Sequence, residues 1–336
     1  GLIQPHGALI AFDAEGRLTH VSRNAATIFA DLPRLGARPS RSSRWLQGAL
    51  AGALDDALTD AGAGLDVQPI SLETTIDGVL YDVVVHGYGG RVTVEFECCE
   101  TDAAGVASFA LLAHRSMSRM RGKADFTSIL SEAVLTVREL TGFDRVMAYR
   151  FHLDNSGEIV AEAKIDALAP YVGRRFPASD IPVQARRLYV ANTLRLIANV
   201  NDEQVPVDAL EPGTPPLDMT YSILRSVSPI HIEYLKNINV AASMSVSIVV
   251  NGKLWGLIAC HHQQAHRVPY AVRMACDVLA NVISSAIQVV EERIAVGRRT
   301  AATDLRAKLA ELSLQGDDLS LGLGLTQAAL AKVIPC

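Results

Sequence analysis

Cysteine is scarce in this chain. Five occur in 336 residues, Cys98, Cys99, Cys260, Cys276 and Cys336, with no CxxC pair among them. That excludes a disulfide scaffold or a zinc knuckle and fits a reducing compartment, with the cytoplasm as the expected location. Positive charge is not in excess either: 31 Lys and Arg stand against 36 Asp and Glu, a net charge of −5. A general nucleic-acid surface is therefore not expected. Apolar runs such as "LWGLIAC" are too short to cross a bilayer, so no membrane span is expected. No signal peptide opens the given sequence and none is expected, and there is no internal repeat and no low-complexity segment. No Walker loop, paired-carboxylate site or nucleophile–base constellation occurs, so an enzyme is not expected within these residues. The chain opens on Gly1 rather than Met, and the expectation is that the native start lies upstream.

What is present is ample core material. Hydrophobic residues make up 49% of the chain, and the length allows about two or three domains. "ALIAFDAEGRLTHVS" reads as two strands around a D-A-E-G turn. "RVTVEFECCE" alternates, with Val92, Val94, Phe96 and Cys98 on one face and Thr93, Glu95 and Glu97 on the other. Cys98 and Cys99 then point apart as packing residues. From about Ser108 to Gly122, "SFALLAHRSMSRMRGK" is a helical connector. Phe126, Ile129, Leu130, Ala133 and Val134 follow at helical spacing, with Gly142 as the stop. Between Lys164 and Leu235 lies a long, proline-rich loop region; loops of that length are usually functional or disordered, and its Arg, Tyr and apolar residues argue against disorder. In "SMSVSIVVNGKLWGLIACHH", Asn251-Gly252 signals a type I′ hairpin. After Pro269 a helix runs to about Ile294, and Leu305, Leu309 and Leu312 extend a weaker stripe. The fold class is α+β, in two domains joined by helices.

The loop region holds "RFPASDIPVQARRLY". Pro182 disfavours helical geometry at Ile181, so Asp180-Ile181 is expected to be extended, with Pro182 in the first turn of a helix. Asp180 is then either an N-cap or a residue whose backbone is held for another purpose. Arg195 and Arg225 sit in apolar settings, "LRLI" and "ILRSV". Each needs an anion, from an internal salt bridge or from a ligand carboxylate matched to the guanidinium fork. His261 and His262 end a strand and point to opposite faces, so one metal cannot readily take both. His231 is a second candidate inward histidine, though a satisfied core or surface histidine is the commoner case. Ser243 and Ser245 share a strand face. Tyr149, Phe176, Tyr189 and Tyr234 are core aromatics or the walls of a pocket. Taken together they describe one pocket for a large, flat, conjugated ligand carrying carboxylates.

"IQPHGALI", "FDRVMAYRF", "RFPASDIPVQARRLY", "ILRSVSPIHIEYL" and "KLWGLIACHH", in this order, resemble a bacteriophytochrome from residue 1 to about 295. The resemblance implies a PAS domain (1–110), a connecting helix (111–124), a GAF domain (125–295), and a linker helix with the start of an incomplete PHY domain (296–336). Each domain would be an antiparallel sheet with flanking helices. The N-terminal segment, around Ile3, would be knotted through the Leu196–Ser228 region, and a long exit helix would follow.

The implied function is red/far-red photoreception with biliverdin in the GAF pocket. An output module or response regulator, often a histidine kinase, would belong to the full-length protein, and a homodimer would form through the GAF and exit helices. By position, Asp180 resembles the aspartate whose carbonyl faces the pyrrole nitrogens. His231 resembles the histidine beside the inner pyrroles, and His261 the one at the D-ring carbonyl. Arg195 and Arg225 resemble the propionate clamps, with Ser243 and Ser245 as helpers. Tyr149, Phe176 and Tyr234 resemble the walls around the D ring, and Ile181 and Tyr189 fall at further pocket positions. The attachment cysteine of biliverdin-binding members is expected upstream of residue 1. The plant-type position, just before the pocket histidine, is occupied here by Ile230. A GAF sensor of another small soluble ligand, such as a cyclic nucleotide, is the alternative.

Overall fold

The computed structural model describes residues 1–314, apart from 101, 102, 121, 124 and 212. Cys336 and the expected start of a further domain lie outside the described residues. The first sheet is built from β1 (Leu2–Ile3), β2 (Gly7–Asp13), β3 (Leu18–Ser22), β4 (Val67–Ile76), β5 (Val79–Tyr88) and β6 (Arg91–Cys98). The D-A-E-G turn joins β2 to β3 as expected, with Gly16 at φ 75°. Helix α1 (Gly48–Gly62) presents Leu50, Leu54, Ala57 and Ala61 on one face. They meet Phe12, Trp45, Val94 and Phe96 in a single core, as a helix with apolar residues on one face requires.

The polar face of β6 is not in water. Glu95 and Glu97 are 0% and 1% exposed, because distant parts of the chain cover them. Glu95 lies under residues 222–224. Glu97 lies under Arg273.

Helices α2 (Ala103–Met120) and α3 (Phe126–Thr141) lead to the second sheet. Helix α2 starts inside the range expected for the first domain. Asp125 caps α3 by accepting from the Ser128 amide at 2.8 Å, and Gly142 ends it at φ 74°. The remaining strands are β7 (Arg145–Phe151), β8 (Gly157–Lys164), β9 (Arg175–Phe176), β10 (Leu194–Ile197), β11 (Val205–Ala209), β12 (Ala242–Val250) and β13 (Lys253–His262). The helices α4 (Val183–Ala191), α5 (Pro229–Asn237) and α6 (Tyr270–Leu314) complete the fold.

The second sheet runs β10-β12-β13-β7-β8-β9. The hairpin of β12 and β13 turns at Asn251 and Gly252, both at positive φ (51° and 71°), as a type I′ turn demands. One face of this sheet packs on α3 and α6. Val272, Cys276, Leu279, Ile283, Ile287 and Val290 from α6 join Met244, Val246, Ile258 and Cys260 in a second core. Helix α6 also contains a stretch long and apolar enough to cross a membrane by length and composition, which short apolar runs alone did not lead one to expect. Its inner side is accounted for by this packing.

Strand β11, from the chain that leaves β10, joins the first sheet between β1 and β3. Ile3 pairs with Val205 on one side and bridges Arg225 on the other. Gln4 donates to the Leu196 carbonyl at 2.7 Å and accepts from the Ala198 amide at 3.1 Å. Its own amide donates to Leu224. The N-terminal segment thus lies within the loop between Leu196 and Ser228, bonded to its outgoing and returning limbs.

Candidate functional site

The second sheet's other face is open, and strand register decides what stands on it. Side chains alternate across a strand, so the residues flanking the core positions turn outward together. Arg195 pairs with Ser245, and Ser245 with Ala259. Ser243 pairs with His261, and His261 with Arg145. Two parallel rows result, Arg195–Ser245–Ala259–Met147 and Ile197–Ser243–His261–Arg145. Cys260 and His262 turn to the opposite side. Cys260 is fully buried in the core, its thiol pushed well up by burial and by Cys276, and His262 stacks on His266 at 4.6 Å.

Helix α5 brings His231 and Tyr234, which stack at 6.1 Å and 20°. Helix α4 lies nearest β12 and β13. It is held by Arg186, which donates to the Ile181 carbonyl at 2.9 Å and the Asn155 carbonyl at 2.6 Å. Tyr149 stands 6.0 Å from Phe176, ring to ring. The Tyr149 ring occupies the space a side chain on Gly157 would need. A Cβ there would lie 1.7 Å from the ring, so a side chain at 157 would displace the Tyr149 ring.

Asp180 closes a single 3-10 turn over residues 178–180. Its amide donates to the Pro177 carbonyl at 3.1 Å. It is not the N-cap of α4, because that position is Pro182. Asp180 is not extended either. The restraint from Pro182 acts on Ile181 alone, at φ −126° and ψ 88°. The exposed Asp180 carboxylate sits near Tyr149 and Tyr234. Burial first, then Asp180, raises both phenols, Tyr149 to about 12.

Electrostatics ties the group together. Burial and the neighbouring Arg225 cation pull Arg195 down to about 10, opposed by Tyr189 and Glu95. Burial lowers Arg225 too, against Asp218. His231 is lowered by burial and by Arg195. His261 is lowered to about 4 by burial, Arg145 and His231. Both imidazoles are therefore neutral at pH 7. Among the described residues neither Arg195 nor Arg225 forms an ion pair, and Nη2 of Arg195 is buried without a hydrogen-bond partner.

The sequence-derived residues Asp180, Tyr149, Phe176, Tyr189, Arg195, Arg225, His231, Tyr234, Ser243, Ser245 and His261 thus gather about one cleft. Ile181 is placed by its carbonyl at the foot of α4 and makes no other described polar contact. Two residues were missed. Arg145 is buried, donates to Glu162 at 2.6 Å and lies 3.8 Å over the Tyr171 ring, at the His261 end of the cleft. Met147 shares the face. Period two in "FDRVMAYRF" places both beside Tyr149, and that signal was available.

Of two further cavities, one lies apart and one adjoins the His261 end of the cleft. A wide depression of about 590 Å³ is bordered by Glu15, Arg38, Arg41 and α1, but Arg41 there already pairs with Asp55. A small one of about 60 Å³ lies behind His261, between Arg145, Tyr171 and Asn239. The unpartnered Nη2 of Arg195 is in the open cleft.

Comparison with known proteins identifies the two domains. Residues 1–99 match the PAS fold and residues 125–287 the GAF domain. A bacteriophytochrome of Pseudomonas aeruginosa is 40% identical over all of this chain and 46% of its own length. The chain spans about half the length of the curated relatives it matches. A crystal structure of the chromophore-binding domain of the Stigmatella aurantiaca bacteriophytochrome superposes with TM-score 0.74 at 38% identity, over 85% of this chain and 95% of that one. The photosensory core module of a phytochrome from the same organism gives TM-score 0.80 at 36% identity, over 99% and 67%. A PAS sheet completed by β11, a strand from the GAF segment, beside a separate GAF sheet, together with this likeness to solved chromophore-binding domains, decides the lineage: this chain is a member of the bacteriophytochrome family.

Proposed function

We propose that the cleft binds biliverdin, a linear tetrapyrrole carrying two propionates, and that the chain is the light-sensing part of a red/far-red photoreceptor. The observation that carries this is the pair of half-buried arginines. Internal salt bridges would have satisfied them, but they have none among the described residues, and Nη2 of Arg195 is a buried, unused donor. Two adjacent cations in a partly desolvated site call for carboxylates. Ser243 and Ser245 stand on the same face, with hydroxyls to add. Neutral His231 and His261 each offer one N–H and one lone pair to polar ring edges. Tyr149, Phe176 and Tyr234 wall the end nearest Asp180.

When bound, biliverdin supplies red absorption and isomerisation at its D ring. The protein's part is to clamp, orient and shield. The Asp180 carbonyl and the His231 ring are assigned to the inner nitrogens, His261 to the D-ring carbonyl, and Ile181 and Tyr189 to the rim. Sensing needs no catalytic step in these residues, so the chain is read as a binding module rather than an enzyme, acting in the cytoplasm. Any kinase or response-regulator contact belongs to the whole protein. A second copy is assigned to α6, where Val278, Val289 and Val296 are each more than half exposed and recur on one helical stripe.

Titration with biliverdin tests the reading. A strong red band that bleaches reversibly under red light supports it. A flat red spectrum, with tight binding of a cyclic nucleotide instead, would favour a GAF sensor of a smaller ligand.

A further inference from the structure

The carboxylate of Glu95 is fully buried and belongs to β6 of the PAS domain, yet three of its hydrogen bonds come from the other domain. Oε1 accepts from the Ser222 hydroxyl and from the Leu224 amide at 2.9 Å. Oε2 accepts from the Ile223 amide at 2.9 Å and faces His86 Nε2 at 3.3 Å. Three consecutive residues thus donate to one carboxylate, and the next residue is Arg225.

The same segment is fixed from two other sides. The Leu224 carbonyl accepts from Gln4, Arg225 bridges Ile3, and the Ser226 amide donates to Leu2. The Ser222 carbonyl accepts from Asn192, the residue that ends α4, at 3.3 Å. Arg225 therefore leaves a backbone with little freedom to shift. That matters because Arg195 and Arg225 repel each other. A flexible Arg225 would swing away in the ligand-free protein, and its return would be paid for on binding. Charge-assisted bonds to consecutive backbone amides are among the stronger restraints available.

We propose that Glu95 is a positioning residue for the ligand clamp: through residues 222–224 it holds Arg225 beside Arg195, so that the PAS domain pre-organises the GAF pocket. The inference rests on reading Arg225 as a carboxylate clamp. Glu95 also offsets part of the Arg225 repulsion felt by Arg195, which works in the same direction.

The test uses the whole chain and the variants Glu95→Gln, Ser222→Ala, Arg225→Ala and the double variant E95Q/R225A. A glutamine offers one acceptor oxygen where three donors converge, and its amide N–H groups face donors. Glu95→Gln is expected to weaken biliverdin binding about tenfold, and Ser222→Ala about threefold, in line with loss of charge-assisted bonds. The double variant should bind within about twofold of Arg225→Ala, since residues acting in series do not add. Hydrogen exchange without ligand gives a second readout. The Ile223 and Leu224 amides should exchange about tenfold faster in Glu95→Gln, while those of β12 and β13 stay at parental rates. Should Glu95→Gln fail to fold, Ser222→Ala carries both readouts.

Parental affinity in Glu95→Gln, or additive losses in the double variant, would overturn the proposal. So would an Arg225→Ala variant that binds like the parent, which leaves Glu95 nothing to act through. Should the parent itself bind no biliverdin, the functional reading falls. Exchange at Ile223 and Leu224 then decides the positioning role alone, with unchanged rates against it.

Discussion

Arg195 shows how a single residue is poised between stability and binding. Its neighbours Leu194 and Leu196 are in the core, so alternation turns the guanidinium to the other face of the sheet. Nη2 has lost water and gained no partner. Leaving a buried donor unsatisfied costs about 1–3 kcal/mol. Arg195→Met is therefore expected to leave the ligand-free protein as stable as the parent or more so, by about 1 kcal/mol. The same change should weaken biliverdin binding by roughly 3–5 kcal/mol, as when a buried pair loses one partner. Urea denaturation and red-band titration measure the two effects, and a variant that loses stability but keeps affinity would reverse the assignment. His261 makes a pH prediction. Its folded pKa is about 4 against an ordinary 6.5, so the unfolded chain binds more protons between those values. Its contribution to stability is complete above about pH 6.5 and is lost as pH falls toward 4. His261→Gln should flatten that part of the ligand-free stability profile, and an unchanged slope would count against it. At this scale the sequence was legible wherever a residue type demanded an unusual partner, as with arginine between leucines. The alternation of "FDRVMAYRF" places Arg145 on the face of Tyr149, but its partner Glu162 lies on the next strand, and that pairing no local pattern reveals.

Elements were legible where the backbone itself forces a choice. Asn251-Gly252 needs positive φ at both positions, and few dipeptides supply it, so the hairpin of β12 and β13 followed from two letters. Gly142 ended α3 for the same reason. Beside Gly252 a Cβ meets nothing within 4 Å, so Gly252→Ala changes strain alone. It should cost about 1–2 kcal/mol without shifting the red band of the loaded protein. Equal denaturation midpoints for variant and parent would show that the turn tolerates alanine. Elements were opaque where burial comes from afar. Strand β6 alternates polar and apolar residues, which usually means one wet face. Its acidic face is dry because residues 222–224 and the first turn of α6 cover it, and neither lies near it in sequence. Similarly, two prolines marked the loop at Asp180 as stiff, but not that Asp180 would sit in a 3-10 turn and leave Pro182 as the cap.

The whole molecule is held at a second buried acid, Glu97. Arg273, fully buried in the first turn of α6, donates to it at 2.6 Å across 176 residues of sequence. His6 and Arg267 approach the same oxygen at 3.8 Å and 3.6 Å. Burial alone would raise the Glu97 carboxyl, but Arg273, His6 and Arg267 outweigh it and hold it below the usual range. Nearby, Tyr270 bonds Ser71 of β4, and further along α6 packs into the GAF core. One helix therefore leans on both domains, and a shift of its first turn must disturb the PAS sheet. No local pattern shows such a contact; the resemblance to a family conveyed the two domains but not the ion pair between them. Arg273→Met leaves Glu97 buried with weaker partners and should cost roughly 3–5 kcal/mol. The double variant E97Q/R273M removes both charges and should recover much of that loss, because a neutral pair has no desolvated ion to satisfy. Denaturation of the parent, the two single variants and the double variant closes the cycle. Losses that simply add would mean that Arg273 and Glu97 act independently, and that the PAS sheet and the exit helix are joined by apolar packing instead.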